Sequence, residues 1–173
     1  MKLFFSIGVI LSMFSLLFGC SSFGYQSPRY VKLAHEITEK TAKELKAQKN
    51  LYLAGTGGQM TDDIQMMAMS FDYYQEVDLK TGRELIIYVI NEYLSSINSN
   101  KEIRPYLHEY PFTAKNVEIR IFVYNPDRSE LPLEKIYCIE CINGELEYYA
   151  RSNPRQAIYE ETYEEALQAI SSK

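Results

Sequence analysis

The segment Glu134-Lys135-Ile136-Tyr137-Cys138-Ile139-Glu140-Cys141-Ile142-Asn143-Gly144-Glu145-Leu146-Glu147-Tyr148-Tyr149-Ala150-Arg151 reads as a β-hairpin. Two runs rich in β-branched and aromatic residues flank Asn143-Gly144. An Asn-Gly pair supplies the positive φ that both central residues of a type I′ turn require. A two-residue loop fixes register, so Ile142 faces Glu145, Cys141 faces Leu146 and Cys138 faces Tyr149. Alternation along a strand then places Tyr137, Ile139, Cys141, Leu146 and Tyr148 on a core face. Cys138, Glu140, Glu145, Glu147 and Arg151 fall on the outer face. A sheet with one apolar face needs a second layer to cover it.

Working backwards from the hairpin, Val117 to Tyr124 alternates cleanly. Val117, Ile119, Ile121 and Val123 take one face, and Glu118, Arg120, Phe122 and Tyr124 the other. Ile64 to Val77 reads as a long strand with Met67, Met69, Phe71 and Tyr73 on one side. Met60, Met66, Met67 and Met69 could suggest a soft-metal site. Met67 and Met69 share their face with Phe71, however, which is core behaviour. Leu51 to Thr56 reads as a further strand, and Gly55-Thr56-Gly57-Gly58 as a bulge or turn. That cluster lacks the Lys-Ser/Thr ending of a P-loop and the spacing of a dinucleotide motif.

Three helices separate these strands. From Arg29 to about Lys49, Tyr30, Leu33, Ala34, Ile37, Thr41, Leu45 and Gln48 recur at 3–4 spacing, with Ser27-Pro28 as cap and first-turn proline. From Thr81 to about Ser99, Leu85, Ile86, Val89, Ile90, Tyr93, Leu94 and Ile97 form a broad apolar face, with Thr81 and Glu84 in capping-box positions. A last helix is predicted over Glu160 to Ser171, with Tyr159, Tyr163, Ala166, Leu167 and Ile170 as its stripe. The order α-β-β-α-β-β-β-α predicts an α+β fold over residues 29–173, with a five-stranded, mainly antiparallel sheet and helices chiefly on one face.

Asn98 to Asn116 has no period, and a connection of that length is often functional. If it is extended, Arg104, Tyr106, His108, Tyr110 and Phe112 project to one side. Pro105 and Pro111 restrict its backbone, and interface hot spots favour Tyr and Arg. These five residues are the candidate partner-binding set; the bland alternative packs their rings against the sheet.

Cys138 and Cys141 form a CxxC, which in an oxidising compartment suggests a redox pair or half a metal site. Redox CxxC pairs sit at a helix N-terminus, whereas residues three apart on a strand diverge to opposite faces. Zinc would need two further ligands, and only His35 and His108 remain as nitrogen donors. The expectation is one core thiol, Cys141, and one semi-exposed thiol, Cys138. No serine lies in a Gly-x-Ser-x-Gly elbow. No catalytic, cofactor-binding or metal-binding residue is assigned.

The first twenty residues give an address. Lys2 is followed by an uncharged apolar run, Leu3 to Phe18, and then Gly19-Cys20, the layout of a secretory signal. The run is short for a membrane span of ~20 residues and has no positive stop-transfer flank. Leu17-Phe18-Gly19-Cys20 resembles the lipobox of bacterial lipoproteins, from which it departs only in the bulk of Phe18. The resemblance covers these residues alone, and the remaining chain resembles no family of known activity. It implies cleavage after residue 19 and a diacylglyceryl group on Cys20, usually with a third acyl chain, palmitate, on its amine. Residues 20–28 would then be a lipidated tether. Ser21, a non-aspartate, points by the same resemblance to the outer membrane, facing the periplasm or the cell surface, rather than the inner membrane.

Loss of residues 1–19, with Lys2 their one charge, takes the formal net charge from −5 to −6. Nothing in so acidic a chain is a basic patch for nucleic acid, and anionic lipid gives it no hold beyond an acyl anchor. The chain has fifteen Tyr, eight Phe and no Trp. Tyrosine combines an apolar body with a polar tip and suits both strands and binding surfaces. The functional expectation is a non-enzymatic, membrane-anchored envelope lipoprotein that binds a protein partner or an envelope ligand. The alternative is an envelope hydrolase or redox enzyme with its site near His108 or Cys138. A flat, tyrosine-rich face would favour the first.

Overall fold

The computed structural model describes residues 27–172. The Asn143-Gly144 turn has φ of 53° and 81°, positive at both central positions. It joins β4 (Ile136–Ile142) to β5 (Glu145–Ala150) in the expected register, Ile142 opposite Glu145, Cys141 opposite Leu146 and Cys138 opposite Tyr149. The faces hold with one correction. A register shift between Ile136 and Cys138 turns Ile136 into the core at 7 % exposure and leaves Tyr137 half-buried on the outer side. A bulge carries one extra residue and so inverts the alternation beyond it.

Outward from the hairpin, β3 (Val117–Val123) pairs antiparallel with β4 and parallel with β2 (Met66–Tyr73). β1 (Leu51–Gln59) pairs antiparallel with β2, with a bulge between Leu53 and Gly55. The fold is α+β, as expected, but the sheet has six strands and is mixed. The sixth, β6 (Tyr159–Thr162), pairs antiparallel with β5, and sequence order and spatial order coincide from β1 to β6.

Two expectations therefore need correcting. The sheet is not five-stranded, because the residues assigned to the start of the last helix form a strand. Thr162 is the true N-cap, and its hydroxyl and the Glu165 carboxylate complete a capping box for α3 (Tyr163–Ser171). A closed box fixes the helix start, and Tyr159 to Glu161 are then free to extend along β5. The parallel β2–β3 pair follows from the long helix between them, since parallel neighbours need a crossover and a hairpin turn cannot make one.

That crossover helix, α2 (Leu79–Ser99), buries Leu85, Ile86, Ile87, Val89, Ile90, Tyr93 and Ile97. Its cap is Asp78, whose side chain accepts from the Thr81 N–H at 2.7 Å; the cap is not Thr81 itself. Gly82 brings it close to the sheet, because a Cβ there would stand 2.7 Å from Ile139 Cδ1. α1 (Arg29–Lys49) buries Ala34, Ile37, Thr38, Thr41, Ala42 and Leu45. Pro28, not Ser27, occupies its N-cap, and Asn50 closes it with φ 56°. α1 and α2 are joined by a buried bond. Thr38 Oγ1 donates to Ala34 O at 2.8 Å and accepts from the Tyr93 hydroxyl at 2.7 Å. The helices share one core with Met67, Phe71, Ile119, Ile121, Ile139 and Tyr148. Met67 and Met69 are fully enclosed in it, in line with a packing role.

Candidate functional site

The opposite face of the sheet carries the outer residues of each strand, and the register sets them in rows. One row runs Gly55, Ser70, Arg120, Glu140, Glu147 from β1 to β5. The next runs Tyr52, Asp72, Phe122, Cys138, Tyr149. Tyr74 and Tyr124 stand just past the ends of β2 and β3 and extend the pattern. Rings of Tyr52 and Tyr74 lie 5.3 Å apart, and those of Tyr74 and Tyr124 lie 5.8 Å apart. The Arg128 guanidinium sits 5.2 Å from the Tyr74 centroid and Lys46 Nζ 5.1 Å from that of Tyr52. Each cation faces a ring's negative π-cloud, which holds the line of rings in place.

The line ends at a recess of 410 Å³ bounded by Phe122, Tyr124, Leu131, Tyr137, Arg151 and Pro154. Its aromatic walls suit a small apolar ligand, and its guanidinium, Arg151, is paired with Glu130, which lines the same recess. Beside the rings the face turns polar. Arg120 Nε donates to Glu140 Oε2 at 2.6 Å, and the Tyr149 hydroxyl donates its one proton to Glu147, with Glu140 Oε1 3.2 Å away as the alternative acceptor. The bond to Glu147, with partial burial, raises the Tyr149 pKa and keeps it a donor. Gly55, Gly57, Ala68 and Ser70 leave a shallow trough of 190 Å³ alongside.

The residues singled out in the 98–116 segment are not on one side. A 3₁₀ turn at Arg104–Tyr106 breaks the alternation that an extended chain would have. Ile103, Leu107 and Phe112 are the apolar feet of the loop, 0 %, 9 % and 2 % exposed. Leu107 pairs with Ile64 as an isolated parallel bridge, with Ile64 N–H donating to Tyr106 O and His108 N–H to Ile64 O, each at 2.8 Å. The Asn98 side chain holds Phe112 through both its backbone N–H and its carbonyl. Phe112 is thus a core residue. Tyr106 is half-buried against Tyr30 at 5.8 Å. Arg104 lies 4.2 Å over the ring of exposed Tyr110. His108 Nδ1 meets Asp63 Oδ2 at 2.6 Å on the surface. That hydrogen bond raises the His108 pKa, which favours an imidazolium over a neutral general base.

Cys138 is 5 % exposed, which corrects the expectation of a semi-exposed thiol. Phe122, Tyr137, Tyr149 and Pro154 surround it. Cys141 is fully buried, and neither cysteine is in a disulfide. Burial pushes both thiols up to about 12, well away from the thiolate a redox site needs. Among the described residues no cluster of His, Cys, Asp and Glu has the makings of a metal site, and no helix is long and apolar enough to cross a membrane. Cys20 lies outside the described residues.

No protein-family model, curated protein or solved structure matches this chain. Function is therefore read from the chemistry of the site itself. The outer parity of Phe122, Tyr124 and Tyr74 was legible from alternation. Their adjacency was not, because it depends on β2 lying beside β3.

Proposed function

We propose that the chain is a lipid-anchored envelope lipoprotein, held by acyl chains on Cys20, that binds a protein partner or an envelope ligand through the open face of its sheet. The observation that carries this reading is the Tyr52–Tyr74–Tyr124 line leading into the Phe122–Tyr137 recess. Tyrosine and arginine are the side chains that dominate interface energetics. Signal and lipobox residues, Lys2, Leu3 to Phe18 and Gly19-Cys20, supply the anchor.

The tether reaches the domain at α1, whose Tyr30 bonds Thr61 O beyond the end of β1, while Tyr52 lies at the start of β1. At about 3.3 Å per residue the aromatic line is roughly 25 Å along the strand from the tether. The 102–110 segment is packed beside the start of α1, with Glu102 bonded to Arg29 and Tyr106 against Tyr30, away from the aromatic line. The open face is left free for a partner.

The test has two arms. Cys20→Ser should abolish incorporation of a fatty-acid analogue and release the protein from the envelope fraction. Label retained by that variant would end the lipoprotein reading. Tyr74→Ala with Tyr124→Ala should keep the melting temperature and lose whatever the wild-type chain cross-links in the intact envelope. Unchanged cross-links would end the binding-face reading.

A further inference from the structure

The two edges of the sheet differ. β6 is four residues long and carries Glu160 and Glu161, a short, charged edge of the kind that resists pairing. β1 is nine residues long, Leu51 to Gln59, with neither a charge nor a proline. Among the described residues it pairs with β2 alone. Every residue after Leu51 is exposed or half-buried. Its outer edge presents a row of backbone donors and acceptors that another extended chain satisfies.

Two recesses open between β1 and α1. The first recess, 270 Å³, lies between Tyr52 and Leu53 of β1 and Ala42 of α1, with Lys43 and Lys46 at its rim. The second, 330 Å³, lies beside Thr56 to Gly58, with Val31 and Ala34 of α1, Met60 and His35 around it. The bulge between Leu53 and Gly55 takes up one residue, so Leu53, opposite Phe71, and Gly57, opposite Ala68, are three partner positions apart, about 10 Å along the strand, and on opposite parities. An added strand therefore sets its side chains against the first recess and its backbone along the rest of the edge.

We infer that β1 is a strand-addition site: it accepts an extended segment of a partner protein with an apolar side chain at the first recess and a carboxylate beside it facing Lys43 and Lys46. Main-chain bonds to the edge give the affinity, and the first recess gives the selection of sequence. Glu39 adds one negative group at the first recess, 3.3 Å from His35, against the two lysines. Tyr52 and Lys46 are shared with the tyrosine line, but the edge is engaged through backbone groups rather than rings, and the inference stands whether or not Cys20 is lipidated.

The probe is a blocked nine-residue peptide of alternating threonine and leucine with one glutamate beside the first leucine, tested on the full chain in detergent micelles. Hydrogen exchange read by mass spectrometry should show β1 amides open in the chain alone and protected once the peptide is added. Backbone N-methylation of the peptide on its bonding edge should abolish binding. Lys43→Glu with Lys46→Glu should weaken it tenfold or more without changing the melting temperature. Three outcomes overturn the inference: β1 amides already protected in the chain alone, a dimer closed through β1 in sedimentation, or no binding at millimolar peptide.

Discussion

Arg83 on α2 and Glu161 on β6 form a buried ion pair, with Arg83 Nε 2.7 Å from Oε1 and 2.9 Å from Oε2. The Tyr148 hydroxyl donates to the same Oε1 at 2.7 Å. The side chains are 15 % and 4 % exposed, and the Arg83 guanidinium also lies 5.6 Å over the Tyr159 ring. Helix, central hairpin and edge strand are tied at one point. Because Glu161 is the only inward-facing carboxylate of a short edge strand, it accounts for why four residues hold their place.

Breaking that pair should be costly. Glu161→Ala leaves a guanidinium and a phenol buried without their acceptor, a class of change that costs about 3–5 kcal/mol. Urea unfolding should show the midpoint fall with an unchanged slope. The double variant Arg83→Met, Glu161→Leu should recover most of the loss, since apolar replacement of a whole buried pair is often neutral. A single variant within about 0.5 kcal/mol of wild type, the scatter of an ordinary surface change, would contradict the pair's role.

Thr41 and Thr38 lie three residues apart on α1 and should respond in opposite directions. The Thr41 hydroxyl is buried with no hydrogen-bond partner among the described residues. Thr41→Val removes it at constant shape and should stabilise the fold by about 1 kcal/mol, since an unsatisfied buried polar group costs about 1–3. Thr38→Val deprives the buried Tyr93 hydroxyl of its acceptor and should destabilise by about 1–3 kcal/mol. Burial holds the Tyr93 pKa far above its ordinary value, so it cannot relieve the loss by ionising. Thermal denaturation of the two variants side by side checks the signs.

Both thiols should be inert in the folded chain. With burial raising each to about 12, the thiolate fraction at pH 8 is negligible, and access is closed as well. A disulfide-exchange reagent should modify neither Cys138 nor Cys141 until denaturant is added, after which both should react. Reaction of Cys138 in the native state would mean that the Phe122–Tyr149 cover opens.

His108 and Asp63 give a pH signature. The hydrogen bond from Asp63 raises the His108 pKa, and the same bond lowers that of Asp63. The pair therefore supports the fold between those two values. Its contribution fades as pH rises through the raised histidine pKa or falls through the lowered aspartate pKa. Asp63→Asn should bring the His108 midpoint in a proton NMR titration back towards the ordinary value of about 6.5. A midpoint that does not move would show that the two groups are not paired in solution.

What the sequence determined by itself is what local chemistry determines. Asn143-Gly144 set the β4–β5 register because only one turn type accommodates two positive φ values in a two-residue loop. Alternation assigned Met67, Phe71, Ile119 and Ile121 to the core, and 3.6-residue periodicity found α1 and most of α2. Tertiary structure decided the rest. Whether β2 meets β3 side by side depends on where the Leu79–Ser99 crossover lands, and no local rule gives that. Tyr159 to Glu161 fit a helix stripe until the Thr162 cap and the Arg83–Glu161 bond place them on the sheet. Cys138 lies on the outer parity, yet it is buried, in the neighbourhood of Phe122 and Pro154, each 16 residues away along the chain. Phe112 points inward because Asn98 holds its backbone and the core has room for a ring. In each case the deciding contact spans a long stretch of sequence, and its free energy exists only once the chain has closed on itself.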